Sequence, residues 1–95
     1  MIFAVLFEDH PGRESLRQAH MQDHLAFLAR QNGVLGAGPM FDAAGDGKGG
    51  MWLIEAQSIE EVQEMTRADP FHDTGLRKSI TVLEWRQVVR DGQRV

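Results

Sequence analysis

With 95 residues, 42% of them hydrophobic and 25% charged, the chain has the composition of an ordinary soluble protein and the length of a single domain (1–95) with one modest core. A net charge of -4 leaves no electrostatic footprint for nucleic acid or an anionic membrane, so neither is expected as a partner. Cysteine is absent, which excludes disulfides, thiolate catalysis and Cys-ligated zinc or iron–sulfur centres.

The apolar run Met1–Phe7 meets Glu8 and Asp9 at once. It is too short to span a bilayer and lacks a basic leader, so a cytoplasmic location is the expectation. Ile2–Phe7 reads as a central strand, apolar on both faces and covered on each side. Asp9-His10-Pro11-Gly12 breaks it, and good helix formers then dominate from Arg13 to Gln31, with Asn32-Gly33 as a left-handed stop. At about 100° per residue, Leu16, His20, His24, Phe27, Leu28 and Gln31 share one side, so both helical histidines face inward. Val34–Phe41 reads as a second strand weakened by Gly36, Gly38 and Pro39. Asp42–Gly50 is expected to be a flexible loop, and Met51–Ala56 the third strand, paired with the second as a hairpin. Ser58-Ile59-Glu60-Glu61 fits a capping box that starts a second helix ending near Arg67 or Ala68. Ser79–Val89 reads as the last strand and residues 90–95 as a polar tail.

The order β-α-β-β-α-β predicts an α+β, ferredoxin-like fold: a four-stranded antiparallel sheet with two helices on one face. Two helices leave the other face bare. Phe3, Val5, Phe7, Trp52, Ile54, Leu83 and Trp85 compete with Ile2, Leu6, Leu53 and Val82 for burial, so a homodimer, a dimeric α+β barrel, is expected to cover the second apolar face.

Three stretches bear on chemistry. His20 and His24 have the i, i+4 spacing of a metal pair, but Met21 stands where zinc hydrolases carry Glu and no third ligand lies near. No metal site is expected, and His20 reads as a packing residue. Gly45-Asp46-Gly47-Lys48-Gly49-Gly50 superficially suggests a phosphate loop; it lacks the following Ser or Thr and leads into a strand, so it reads as a hairpin loop. In Ala68-Asp69-Pro70-Phe71, Pro70 ends the second helix at Asp69 and starts a short turn closed by Gly75. Asp69 is then a carboxylate fixed at a chain reversal, either an ordinary cap or a catalytic group. His24, on the inward side of its helix, is likewise either a satisfied core residue or a general base. Arg17 is either an anchor for an anionic group or a helical salt-bridge partner.

Phe3-Ala4-Val5, Arg17 with His24-Leu25, Leu35-Gly36-Ala37-Gly38-Pro39, Glu55-Ala56, Ala68-Asp69-Pro70-Phe71 and Gly75-Leu76 together resemble the YciI-like (YCII-related) family, in order and spacing, as far as about Trp85. The resemblance implies a ferredoxin-like domain that dimerises through its sheets. It also implies a His–Asp dyad, which falls on His24 and Asp69. The family includes a dehydrochlorinase acting on a chlorinated hydroxyquinone and is similar to muconolactone isomerases. Thr74 and Met21 depart from common family residues, which bears on pocket shape and charge.

The resulting expectation is a cofactor-independent enzyme of the lyase or isomerase type, working by general acid–base catalysis on a small cyclic or aromatic-derived molecule. His24 and Asp69 would be the catalytic pair, Phe27, Trp52 and Phe71 the walls of the substrate site, and Arg17 its anchor. The alternative is a non-catalytic dimeric module that binds a small ligand or a partner and keeps His24 and Asp69 as a structural pair. A monooxygenase, cofactorless or haem-dependent, rests on fold analogy alone.

Overall fold

Along the first strand, β1 (Ile2–Asp9), Phe3, Val5 and Phe7 alternate with Ile2, Ala4 and Leu6, and that alternation decides which side of the sheet the helices cover. In the computed structural model, which describes Met1–Val95, β1 is followed by α1 (Glu14–Arg30), β2 (Val34–Phe41), β3 (Gly47–Glu55), α2 (Ile59–Ala68) and β4 (Arg77–Glu84). The four strands form one antiparallel sheet in the order β2-β3-β1-β4. This is the expected ferredoxin-like arrangement. Phe3, Val5, Phe7, Trp52 and Ile54 from the sheet meet Phe27 of α1 and Val62 of α2 in one buried cluster, so both helices lie on that face.

The second helix begins as its sequence requires. Ser58 Oγ accepts from the Glu61 N–H at 3.3 Å, and the Glu61 carboxylate reaches back to the Gln57 N–H at 3.1 Å, one residue earlier than in the usual box. Gly33 takes the left-handed conformation after α1, with φ of 84°, and its carbonyl accepts from the Glu55 N–H.

Four expectations need correction. The loop after β2 is only Asp42–Asp46, closed by the Asp42 side chain, which accepts from the N–H groups of Ala44 and Asp46 at 2.9 Å each. Gly47–Gly50 belongs to β3, because Gly49 and Gly50 fit where a side chain would not: a Cβ at Gly49 would stand 1.8 Å from the Phe7 carbonyl oxygen. The last strand stops at Glu84, just before Trp85, whose N–H donates to the Ile2 carbonyl at the start of β1. The end is not a plain tail: β5 (Val89–Arg90) and β6 (Gln93–Arg94) pair across Asp91-Gly92, both with positive φ, a sequence signature of a two-residue hairpin turn.

The fourth correction concerns register. Val5 lies opposite Val82, and Ala4 opposite Leu83. Val82 therefore packs on the helix-covered face and Leu83 does not, the reverse of the grouping inferred from β4's composition; a one-residue change in pairing moves every side chain of a strand to the other face. Neither helix covers the opposite face, where Ile2, Leu6, Leu53, Met51 and Leu83 lie, with Leu83 51% exposed. The β1 expectation of cover on both sides holds within one chain only for the Phe3, Val5 and Phe7 side.

The glycine contacts yield a paired prediction. Gly49→Ala should cost about 3 kcal/mol, because φ there is 145° and the new methyl group meets backbone. Gly36→Ala, with nothing within 4 Å of the added carbon, should leave stability unchanged or slightly raised. Urea denaturation of the two variants reads the difference.

Candidate active site

Pro70 cannot continue a helix and disfavours helical backbone at the residue before it, so α2 ends with Asp69 at φ -65°, ψ 134°. That conformation turns the carboxylate back over the next residues. Its Oδ1 accepts from the Phe71 N–H at 3.2 Å, and the Asp69 carbonyl accepts from the His72 N–H at 2.9 Å. Thr74 fastens the rest of the turn: its hydroxyl donates to the Phe71 carbonyl and accepts the Leu76 N–H. Gly75 closes it with φ of 82°, and Arg13 donates to the Gly75 carbonyl.

Two further donors reach the same carboxylate. His24 Nδ1 of α1 lies 2.8 Å from Oδ1, and Arg77 Nη2, from the first residue of β4, lies 2.6 Å from Oδ2. The Asp69 side chain is wholly buried. Burial alone would raise its pKa, but the His24 hydrogen bond and the Arg77 charge outweigh it, with the Phe71 N–H adding to them, and the carboxyl stays below its ordinary 3.8. An ionised carboxylate only accepts. His24 Nδ1 therefore carries the proton in this pair, and in the neutral ring Nε2 keeps its lone pair.

Nε2 has no partner in the chain and is not among the polar atoms sealed from solvent. It belongs to a side chain that borders a cavity of about 110 Å³ together with Trp52, Phe7, Arg17 and Arg77, under the β2 edge at Gly38 and Pro39. Phe71 lies behind the imidazole, ring centroids 4.3 Å apart and 28° between planes, and prevents it from tilting away. A base with one nitrogen fixed and the other open to a small cavity is an arrangement that can take up and return a proton.

The six residues singled out in the sequence do not all meet there. His24, Trp52 and Arg17 border the cavity; Phe71 supports the His24 ring; Phe27 sits in the core cluster, away from the cavity wall. Arg17 pairs with Asp9 at the end of β1, its Nη2 2.7 Å from Oδ2. His20 is half-buried, and no group of three or more His, Asp or Glu side chains is arranged to hold a metal ion. Arg77 was not anticipated. It stands eight residues after Asp69, across a turn, and no local pattern marks such a pairing.

The profile of the YCII-related domain matches residues 1–86. An uncharacterized protein, YjpA, of Bacillus subtilis (strain 168) is 36% identical over 73 residues, 77% of this chain and 84% of that protein. Among solved structures, 5-chloro-2-hydroxyhydroquinone dehydrochlorinase (TftG) from Burkholderia phenoliruptrix AC1100, in complex with 2,5-dihydroxybenzoquinone, superimposes with a TM-score of 0.82 at 29% identity, over 90% of this chain and 94% of that one. The chain belongs to the YCII-related family.

Because Asp69 ionises more readily in the native state than in the unfolded chain, its contribution to stability is complete above the ordinary carboxylate range and is lost as pH falls through the native pKa. Asp69→Ala strands a buried cation and should cost about 3–5 kcal/mol at neutral pH. The gap between wild type and variant should narrow once pH drops below 3.8. Chemical denaturation at neutral and acid pH measures it, and a gap independent of pH would discard the carboxylate's charge as its origin.

Proposed function

We propose that this YCII-related protein is a dimeric enzyme of the lyase or isomerase type, in which His24 moves a proton on a small cyclic molecule and Asp69 orients the imidazole. The observation that carries this reading is the open Nε2 of an imidazole whose other nitrogen is held 2.8 Å from a buried carboxylate. When Nε2 takes a proton, the imidazolium gains the full attraction of that carboxylate; when it returns the proton, the tautomer is restored without the ring having to turn. The similarity to a dehydrochlorinase supports a small-molecule enzyme and suggests the reaction type. In the loss of HCl from a chlorinated hydroxyhydroquinone, one hydroxyl proton passes to the base and its bonding pair moves into the ring as a carbonyl forms. The chlorine-bearing carbon takes up a proton, and a second hydroxyl proton leaves as chloride departs with its own bonding pair. The balance needs no oxidant, so no cofactor is part of the proposal. Phe7 and Trp52 give the substrate site an apolar wall.

The dimer in this proposal forms through the bare face of the sheet. Its apolar side chains, Ile2, Leu6, Met51, Leu53 and Leu83, are too many for a small monomer to leave in water, and a second copy offers a matching surface by symmetry.

Two measurements follow. With 5-chloro-2-hydroxyhydroquinone as the first substrate assayed, His24→Asn should lower turnover by about 10²–10⁴-fold while circular dichroism remains native. Undiminished turnover would end the assignment, and a lowered melting temperature with no effect on any reaction would favour a structural pair. In sedimentation at micromolar concentration the wild type should run as a dimer and Leu53→Asp as a monomer; a monomeric wild type refutes the dimer.

A further inference from the structure

The side chain of Arg77 is only 5% exposed, yet just one of its three nitrogens is engaged, Nη2 by Asp69. Nε and Nη1 are buried without a hydrogen-bond partner. Guanidinium N–H groups taken out of water with no acceptor destabilise the fold, so these two donors call for one. The guanidinium lies over the Phe7 ring, 3.7 Å from its centroid, and borders the same cavity as His24. At about 110 Å³ that cavity leaves room for no more than one ring, being smaller than an engineered cavity of about 150 Å³ that accommodates benzene.

Charge points the same way. Arg17 and Arg77 balance Asp9 and Asp69 through the contacts already described, and Asp9 also acts on Arg77 from the end of β1. With His24 neutral the group has no net charge. A proton passed from a ligand to His24 leaves the protein groups with one positive charge and the ligand with one negative.

We propose that Arg77 is the oxyanion anchor of this site, and that its ligand is a single-ring phenol or cyclic enol bound as its anion. The ligand O–H bond breaks, the proton goes to His24 Nε2, and the electron pair stays on the oxygen, which accepts from the free Arg77 N–H groups. Nothing is oxidised or reduced. The inference rests on the acid–base reading of His24 and adds the chemical class of the ligand.

The probe is para-nitrophenol, whose ionisation is visible by absorbance, with para-nitroaniline as its uncharged counterpart. Wild-type protein should bind the phenolate and hold the probe ionised at a lower pH than in free solution. Arg77→Gln should weaken phenolate binding by about tenfold or more, with nitroaniline affinity unchanged within about twofold. Equal phenolate affinity in wild type and Arg77→Gln overturns the anchor, as does equal weakening of both probes. Since Arg77 also holds Asp69, the variant could unfold; the wild type then decides, because the Arg77 Nε–H resonance in nitrogen-edited NMR should shift on adding phenolate, and an unmoved resonance overturns the proposal. If His24→Asn abolishes turnover while phenolate binding is indifferent to Arg77, the proton-transfer reading survives and the anchor falls. If phenolate binding depends on Arg77 while His24→Asn keeps full turnover, the anchor survives alone.

Discussion

One carboxylate joins three parts of this small fold. Asp69 accepts from an imidazole on α1, a guanidinium at the head of β4 and an N–H of its own turn, all inside the protein. A buried charge with this many donors is held in place by them and holds them in turn. Removing any one leaves the others with an unpaired charge or an unmatched donor. Only His24 and Phe27 of α1 are buried, and the His24 bond ties one of those two points to the turn after α2. Stability and the candidate chemistry thus depend on the same atoms.

The sheet serves the site by being different on its two faces. Phe3, Val5, Phe7, Trp52 and Ile54 form a floor under both helices, and Phe7 and Trp52 also border the cavity. The wall toward β2 is made by residues with little or no side chain, Gly38 and Gly50 with Pro39. A glycine pair across a strand boundary leaves room above the floor, and the register of Gly38 against Met51 and Pro39 against Gly50 keeps that room at one place. The same glycines weaken the strand by propensity, a local cost accepted where a cavity is needed. The membership of the YCII-related family and the superposition on a dehydrochlorinase show that this scaffold is shared.

Much of this was legible in the residues. The element order came from periodicities within single segments, and the Asp69-Pro70 turn from proline's fixed φ and missing N–H. His24 was placed on the inward side by angle alone. Other features were hidden although a local signal existed: Asp91-Gly92 is a hairpin turn by composition, and Gly47, Gly49 and Gly50 read as loop because glycine is poor in strands. An inward aromatic on α1 fits a core and a pocket wall equally well, and Phe27 lies in the core cluster.

The chain by itself determined the succession of strands and helices, the stop at Pro70 and the side of α1 that carries His24, because each follows from torsions and spacing within a few neighbouring residues. Only the tertiary structure decided that Val82 rather than Leu83 enters the core, that Gly47–Gly50 extends β3, and that Arg77 completes Asp69. Those outcomes depend on which backbone lies opposite which, and on charges brought together across a turn, and neither is written in the spacing of residues along the chain.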